Sequence, residues 1–341
     1  MERIKIGVLC PSEIAFRRFM PALQKQSDFE FVGIAHANEL EWFGNVSDNN
    51  DQLVLEKERN KAKSFIDAYG GLLFESYTQL LTSSDIDAVY LPLPPALHYR
   101  WGKVALKNSK HLFMEKPFTT SLQDTKELIS IAKSKKLALH ENYMFQYHSQ
   151  LDWIRQAVSD GQIGELRLIR IAFGFPFRGT NDFRYNKALG GGALLDCGGY
   201  TIKLASMLLG QNARMETSHL NGKENFEVDI YGSATMVNDD GLTAQLSFGM
   251  DNSYKCELEL WGSQGTIYTN RILTAPEGFE PTVIIKTATG EVPHLLPADD
   301  AFYKSLEMFK TCVENPARQE DNYMAIRQQA KLVDCFYKEV K

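Results

Sequence analysis

Short apolar runs alternate with longer amphipathic stretches over the first 140 residues, a pattern that predicts a parallel sheet covered by helices. Runs rich in β-branched and aromatic residues predict five strands, at 4–10, 29–36, 88–93, 111–115 and 137–141. Helical spacing of apolar positions predicts five helices, at 14–25, 52–69, 77–82, 98–108 and 121–135, and Ser121 is the N-cap residue of the last. Pro21 lies inside the first helix and should kink it.

The pattern changes after residue 150. Helices are predicted at 151–160 and, after three glycines, at 192–209. Alternating apolar and polar positions predict six strands, at 166–175, 226–236, 243–250, 255–261, 266–269 and 282–287. Few helices separate these strands, which favours a large, mostly antiparallel open sheet with one covered face. The tail, 302–341, predicts two more helices, and the polar segment 39–51 predicts a surface loop.

The fold class is therefore α/β, with two domains, because 341 residues exceed the usual size of one hydrophobic core. We assign residues 1–120 to the parallel-sheet domain, together with strand 137–141 and part of the C-terminal helices. Residues 121–341 then form an α/β domain that binds substrate and mediates oligomerisation.

The composition narrows the function. The chain is 44% hydrophobic and 23% charged with a net charge of −6, and no basic stripe marks a nucleic-acid or anionic-membrane partner. Five scattered cysteines without a CxxC pair predict neither a disulfide framework nor a metal site. No apolar stretch is long enough to span a bilayer. We expect a cytoplasmic protein that acts on a small molecule.

The turn after the first strand lies where dinucleotide-binding folds carry GxGxxG or GxGxxA. Here Cys10 and Ser12 occupy the first two glycine positions, and Ala15 occupies the third. Ser12 could offer its amide and hydroxyl to a phosphate at the helix N-terminus. Pro11, however, removes a backbone donor and stiffens the turn. Taken alone, this motif favours an ordinary βα turn over a phosphate site.

Glu115-Lys116-Pro117 is a stronger signal, because it ends an apolar run that predicts a buried strand. The carboxyl ends of parallel strands are where such folds bind ligands. Pro117 permits a cis peptide bond that would aim the lysine. The alternative is an ordinary surface lysine after a strand. We favour a functional Lys116, whose ammonium can exchange a proton with a substrate oxygen.

The segment Gly190–Tyr200 places Asp196 and Tyr200 four residues apart, on one face of the predicted helix. An acid and a phenol so placed suit proton transfer at an alcohol or ketone, and an ammonium near Tyr200 would favour its phenolate. The alternative is a flexible loop with a solvated aspartate. His36, His98 and His148 could be structural histidines, and no spacing of His, Cys or Asp residues indicates a metal.

As a group, these motifs resemble the Gfo/Idh/MocA oxidoreductases. The matching segments are Gly7–Ala15 with Pro21-Ala22, Asp87–Pro92, Glu115-Lys116-Pro117, Glu141-Asn142-Tyr143, Gly161–Leu166 and Gly191–Tyr200. Many members of the family carry histidine where this chain has Tyr200. Tyrosine there resembles the branch that contains glucose-fructose oxidoreductase, the dihydrodiol dehydrogenases and nucleotide-sugar ketoreductases.

The resemblance implies an N-terminal Rossmann domain with NAD or NADP, and a C-terminal domain whose open sheet forms a homodimer or homotetramer. It implies hydride transfer to or from a sugar, polyol or nucleotide-sugar, with Lys116 at the reacting oxygen, Asp196 orienting substrate or lysine, and Tyr200 relaying a proton. The candidate contacts to the cofactor are Ser12, Glu13, Ile14, His36, Pro94, His98, Glu115, Lys116 and Asn142.

Two departures from the family pattern bear on the cofactor. The phosphate turn lacks both early glycines, and His36-Ala37-Asn38 ends the second strand without an acid for a ribose diol or an arginine for a 2′-phosphate. Glu39 and Glu41 would repel a 2′-phosphate, so we expect NAD to be slightly preferred. These departures leave one alternative open, a catalytically silent nucleotide- or sugar-binding regulator on the same scaffold.

Overall fold

The computed structural model describes residues 3–47 and 50–339, and contacts between residues divide the chain into two compact units. Unit 1 comprises the chain up to Thr119, Gln123–Asn142 and Ser305–Ile326. Unit 2 comprises Thr120–Leu122, Tyr143–Lys304 and the chain from Arg327 onward.

Unit 1 contains a six-stranded parallel sheet. Its strands are β1 (Ile4–Val8), β2 (Phe29–Ala35), β3 (Leu72–Phe74), β4 (Ala88–Leu91), β5 (His111–Glu115) and β6 (Leu139–Asn142). They lie in the order β3-β2-β1-β4-β5-β6, as expected for a Rossmann sheet. The helices are α1 (Met20–Gln24), α2 (Glu39–Phe43), α3 (Gln52–Tyr69), α4 (Tyr77–Thr82), α5 (Pro95–Lys107) and α6 (Leu122–Lys135).

Three details of unit 1 differ from the sequence-based expectation. A π-helical segment, Ala15–Phe19, precedes α1 and places Pro21 in the first turn of that helix, where its missing N–H costs little. The predicted loop 39–51 instead begins with α2, because Asn38 and Glu41 form a capping box. Strand β3 was not predicted, since three residues give no periodicity and Leu72 is exposed.

Unit 2 contains helices α7 (Ser149–Ser159) and α8 (Gly199–Leu209) and an eight-stranded sheet. The strands are β7 (Leu166–Phe175), β8 (Arg214–Asn221), β9 (Tyr231–Val237), β10 (Thr243–Met250), β11 (Lys255–Gly262), β12 (Gly265–Asn270), β13 (Thr282–Thr287) and β14 (Gly290–Leu295). Their order is β14-β13-β12-β11-β7-β10-β9-β8, and every pairing is antiparallel except that of β7 with β10. The predicted mostly antiparallel open sheet is confirmed.

The last two helices, α9 (Ala301–Glu314) and α10 (Pro316–Glu339), contribute residues to both units. The edge strands β8 and β14 were missed by the sequence analysis, because neither alternates regularly between buried and exposed positions. Strand β9 begins at Tyr231, five residues after the predicted start at 226.

Candidate functional site

The candidate cofactor residues of unit 1 lie where its parallel strands end. Ser12, Glu13 and Ile14 follow β1, and His36 follows β2. The others are Pro94 after β4, His98 in the first turn of α5, Glu115 at the end of β5, Lys116 next to it, and Asn142 at the end of β6. Because the carboxyl ends of parallel strands share one edge of the sheet, the fold brings these sequence-distant positions to the edge that binds ligands in such sheets.

The turn after β1 differs from a glycine-rich turn in its hydrogen bonds. The amide of Ser12 donates to the carbonyl oxygen of Cys10 (2.8 Å), and the hydroxyl of Ser12 accepts from the amide of Ala15 (3.2 Å). The Ser12 amide is therefore already used within the turn. Glu13 and Ile14 lie in the first helical turn, where amides lack an intrahelical acceptor, so their N–H groups are the donors that fit a phosphate.

The side chain of Cys10 is directed into unit 1. Its thiol hydrogen-bonds with Tyr77, and burial raises the pKa of that thiol to about 12. Cys10 is thus held as a neutral packing residue beside the turn. Cys10 stands where the sequence motif has its first glycine, and the hydrogen bond with Tyr77 fixes the position of the cysteine side chain.

Glu115 is held by two neighbours through one carboxylate oxygen. The hydroxyl of Tyr90 on β4 donates to Oε1 (2.7 Å), and the amide nitrogen of Asn142 on β6 donates to the same atom (2.6 Å). Burial raises the pKa of Glu115, whereas these two hydrogen bonds favour its charged form. Tyr90 was missed by the sequence analysis, because it lies within an apolar strand.

A second pair of side chains fixes the orientation of Asn142. The hydroxyl of Ser305 on α9 donates to Oδ1 of Asn142 (2.8 Å), and Nε2 of His140 lies 2.8 Å from the same hydroxyl. Since the single hydroxyl proton of Ser305 goes to Asn142, His140 must donate from Nε2. All three side chains have no exposed surface. The result is a directional chain from His140 through Ser305 and Asn142 to Glu115.

The peptide bond Lys116–Pro117 is cis, the conformation that the sequence allowed. The carbonyl oxygen of Pro117 lies 2.7 Å from Nδ1 of His98, whose Nε2 lies 2.7 Å from the carbonyl oxygen of Leu93. Burial lowers the pKa of His98 to about 4, although both carbonyl oxygens favour the cation. The amide of Phe118, the residue after Pro117, donates a hydrogen bond to the carboxylate of Glu141 (2.9 Å). The loop that carries Lys116 is therefore fixed on its far side.

Two of the expected cofactor contacts lie beneath the surface of unit 1. His98 and Asn142 have no exposed surface. Each instead holds a neighbour in place, Pro117 in the case of His98 and Glu115 in the case of Asn142. His36 is also mostly buried, and its Nε2 lies 3.1 Å from a carboxylate oxygen of Glu75, the residue that follows β3.

The acids at the end of β2 are occupied by hydrogen bonds. Glu41 accepts from the backbone amides of Asn38, Tyr77 and Thr78 at 2.9 to 3.1 Å. Glu39 accepts from the amide of Ser47 (3.0 Å), and this hydrogen bond lowers its pKa. Both carboxylates thus stabilise the segment after β2.

In unit 2, Asp196 is paired with Arg184. The Nε atom of Arg184 donates to Oδ2 of Asp196 (2.8 Å), and one terminal nitrogen lies 3.2 Å from a carboxylate oxygen of Asp182. Burial by itself lowers the pKa of Arg184, but the two carboxylates raise it on balance. Sequence reasoning missed this arginine, whose only local signal was its position before the triple glycine.

The triple glycine allows this arrangement. Gly190 and Gly192 have φ angles of 78° and 124°, which disfavour other residues, and a Cβ at Gly191 would collide with the carbonyl oxygen of Arg184. The segment Leu194–Gly198, predicted as part of an α-helix, is π-helical and contains Asp196. Such turns are frequent at functional sites.

Tyr200 lies in the first turn of α8 and is buried among aromatic rings. Its ring centroid lies 5.1 Å from that of Tyr143, 5.8 Å from that of Phe145 and 5.3 Å from that of Phe173. The contacts with Tyr143 and Phe173 are edge-to-face, and such contacts fix the ring plane. Tyr200 is 7% exposed, so its position is set by packing in unit 2. Among the residues that the structure describes, no group of three His, Cys, Asp or Glu side chains could hold a metal.

Two family models match the chain. Residues 6–143 match the oxidoreductase family with an NAD-binding Rossmann fold, and residues 152–268 match the GFO/IDH/MocA C-terminal domain. In the part of the chain that the structure describes, no helix combines the length and the apolar character needed to cross a bilayer.

Several relatives match over almost the whole chain. A dTDP-3,4-didehydro-2,6-dideoxy-alpha-D-glucose 3-reductase of Actinomadura kijaniata is 34% identical, with 97% of this chain and 94% of the relative covered. The same activity is named for a relative from Streptomyces violaceoruber, also 34% identical over 97% of this chain and 94% of the relative. An NADP-dependent D-xylose 1-dehydrogenase of Haloferax volcanii is 25% identical, covering 90% of this chain and 88% of the relative.

Solved structures agree with these matches. A 3-ketoreductase from Actinomadura kijaniata, crystallised with NADP and TDP-benzene, superposes with a TM-score of 0.90 at 33% identity, covering 100% of this chain and 98% of the other. Variants of that enzyme with one lysine or one tyrosine replaced have also been crystallised. An aldose-aldose oxidoreductase from Caulobacter crescentus shares the fold, with a TM-score of 0.81 at 19% identity over 99% of this chain and 98% of that one.

Proposed function

The chain belongs to the GFO/IDH/MocA oxidoreductase family, and on that premise we propose that it is a nucleotide-sugar ketoreductase. Its substrate would be a hexose linked to a nucleoside diphosphate, and its reaction the reduction of a keto group on that hexose. The observation that carries this proposal is the match, over nearly the full length of both proteins, with 3-reductases that act on a dTDP-linked sugar.

The dinucleotide, when bound, supplies the hydride. Its pyrophosphate would lie on the helix N-terminus at Glu13 and Ile14, whose amides are the available donors of the turn. Glu115, held in place by hydrogen bonds from Tyr90 and Asn142, would accept hydrogen bonds at the nicotinamide end. The order of the strands supports this placement, because β1 and β5 end at the same sheet edge.

We assign Lys116 to the reacting oxygen of the substrate. Its ammonium would donate a proton to that oxygen and stabilise negative charge developing on it. The contact of His98 with the Pro117 carbonyl oxygen and the hydrogen bond from the Phe118 amide to Glu141 support this role, since they fix the backbone that follows the lysine.

Tyr200 and Asp196 are assigned to the same reaction from unit 2. Tyr200 would relay a proton to the substrate oxygen, because a phenol can donate and accept. Asp196 would orient the substrate while Arg184 holds its carboxylate in place. Ring contacts with Tyr143 and Phe173 support a fixed Tyr200 hydroxyl.

We propose NADPH as the reductant. The expectation of NAD depended on repulsion by Glu39 and Glu41, yet both carboxylates accept hydrogen bonds within their own segment. Carboxylates that already accept hydrogen bonds repel a 2′-phosphate less than carboxylates that accept none. The relative crystallised with NADP points the same way. Calorimetric titration with NADPH and NADH decides between the two nucleotides.

The test of the proposed reaction is consumption of NADPH in the presence of a dTDP-linked 3-ketohexose. Lys116→Ala should lower kcat by a factor on the order of 10² to 10³, while NADPH binds as in the wild type. Lys126→Ala, at an exposed position of α6, is the matched control and should keep full activity. A Lys116→Ala enzyme with a near wild-type rate would contradict the assignment.

The competing function is a catalytically silent binding protein. It would be supported if the wild type bound NADPH and thymidine diphosphate but consumed no NADPH with any nucleotide-linked keto sugar. The ketoreductase requires turnover with such a sugar.

We further propose that the chain forms a homodimer or homotetramer through the open face of the eight-stranded sheet. The exposed ring of Trp261 on β11 supports this proposal. Light scattering of the protein in solution gives the mass, and a monomer at all concentrations would contradict it.

A further inference from the structure

The segment that follows β7 presents an aromatic ring and a guanidinium side by side on the surface of unit 2. Phe177 is 43% exposed, and its neighbour Arg178 is also exposed. A single exposed phenylalanine is ordinary in a folded protein. What sets this pair apart is how firmly the structure holds both groups.

Phe177 lies on two further rings. Its centroid is 4.9 Å from that of Tyr185 and 6.0 Å from that of Phe226, and those two rings are 5.3 Å apart. Tyr185 is buried, so the pair beneath Phe177 belongs to the fold of unit 2. The exposed ring is therefore a supported platform with an open face.

Arg178 is held in a similar way. Its guanidinium carbon lies 4.5 Å from the ring centroid of Phe175, and its backbone amide donates to the hydroxyl of Tyr185 (3.3 Å). No carboxylate among residues 3–47 and 50–339 pairs with Arg178, whereas Arg184 pairs with two. The charge of Arg178 is thus available to an anion from outside the chain.

A row of rings links this pair to the proposed reacting end. Tyr200 lies 5.3 Å from Phe173, and Phe173 lies 6.2 Å from Phe175. Phe173 and Phe175 are two residues apart and lie on the same face of β7, and the guanidinium of Arg178 stacks on Phe175. The strand therefore leads from the candidate proton carrier to the guanidinium and then to the exposed ring.

We propose that Phe177 and Arg178 form the subsite for the nucleoside diphosphate of the substrate. The base stacks on the open face of Phe177, and the diphosphate accepts hydrogen bonds from Arg178, whose planar fork matches phosphate oxygens. The sugar then extends along β7 toward Tyr200. This inference rests on the proposed function and names the residues that distinguish a nucleotide-linked sugar from a free one.

Calorimetric titration of the full chain with thymidine diphosphate, at saturating NADP, tests the subsite. Phe177→Ala should weaken binding about 5- to 150-fold, as expected for the loss of one stacked base. Phe177→Tyr should bind as the wild type does, because it keeps the ring. Arg178→Gln should weaken binding about tenfold or more, and Arg178→Lys should recover part of the loss.

Two simpler probes separate the roles. Phe177→Ala should weaken binding of thymidine and leave that of inorganic pyrophosphate unchanged, and Arg178→Gln should do the reverse. The control is Arg155→Gln, an exposed arginine on α7 that pairs with Asp152. Because Phe177 packs on Tyr185 and Phe226, Phe177→Ala should lower the unfolding temperature somewhat, and thermal unfolding checks that each variant is folded at the temperature of the titration.

The outcomes distinguish the two levels of inference. If the wild type binds thymidine diphosphate and both Phe177→Ala and Arg178→Gln bind it equally well, the subsite is wrong while the ketoreductase stands. If the wild type binds no nucleoside diphosphate, the nucleotide-sugar assignment itself fails.

Discussion

Replacing Ser305 with alanine should destabilise unit 1 far more than the loss of one hydroxyl from a surface would. The side chain of Ser305 links His140 to Asn142 by hydrogen bonds of 2.8 Å each. None of the three residues has exposed surface, so water cannot replace the lost hydroxyl without a rearrangement. Ser305→Ala therefore removes the hydrogen bonds of Ser305 to Nε2 of His140 and Oδ1 of Asn142.

The magnitude follows from those two atoms. A buried polar group that loses its partner costs about 1 to 3 kcal/mol. Two such groups give a decrease in the free energy of unfolding of about 2 to 6 kcal/mol, which is large for one substitution. The amide of Asn142 also loses the bond that fixes which of its ends faces Glu115, so we expect NADPH affinity to fall as well.

Urea unfolding of the wild type and the variant gives the free energies by linear extrapolation. Ser134→Ala is the matched control, since that exposed serine bonds only within α6, to the carbonyl oxygen of Ile131, and should change stability by less than about 0.5 kcal/mol. A second variant, His140→Phe, removes one of the two orphaned atoms, so the double variant should be less unstable than the sum of the singles. If Ser305→Ala were as stable as Ser134→Ala, the hydrogen bonds of Ser305 to His140 and Asn142 would not stabilise unit 1.

Three further predictions concern other parts of the site. Tyr200→Phe should lower kcat and flatten the dependence of kcat on pH, while Tyr200→His should keep part of the rate. If Tyr200→Phe had the wild-type pH profile, the tyrosine would serve only in packing. Arg184→Gln should lower the free energy of unfolding by about 1 to 3 kcal/mol, and in a double-mutant cycle with Asp196→Asn the two losses should not add. His98 has a pKa of about 4 when folded against an ordinary 6.5, so its contribution to stability, about 3 kcal/mol, is complete above pH 6.5 and is lost as the pH falls toward 4. Urea unfolding at pH 7, 5.5 and 4 should show a decline that is shallower in His98→Gln, and equal slopes would contradict the assignment.

The sequence by itself determined those elements whose signals are local. The bounds of α3 and α4, and of β5, β7 and β10, coincide with the predicted ones, because apolar periodicity and flanking turn residues act within a few positions. The parallel sheet, the mostly antiparallel sheet and the family followed from the same local patterns and from short motifs. The position of Lys116 directly after a buried strand could also be predicted from the sequence, since the apolar run ends at Glu115.

Only the tertiary structure decided which polar side chains meet. Ser305 and Asn142 are 163 residues apart in sequence, and nothing near either residue signals the other. Arg184 lies in a polar loop with no local sequence signal. It meets Asp196 because Gly190 and Gly192 adopt positive φ angles. Hydrogen bonds between side chains depend on the packing of whole helices and strands, so a local pattern can identify the strand that ends in Glu115 but cannot specify the partners that hold its carboxylate.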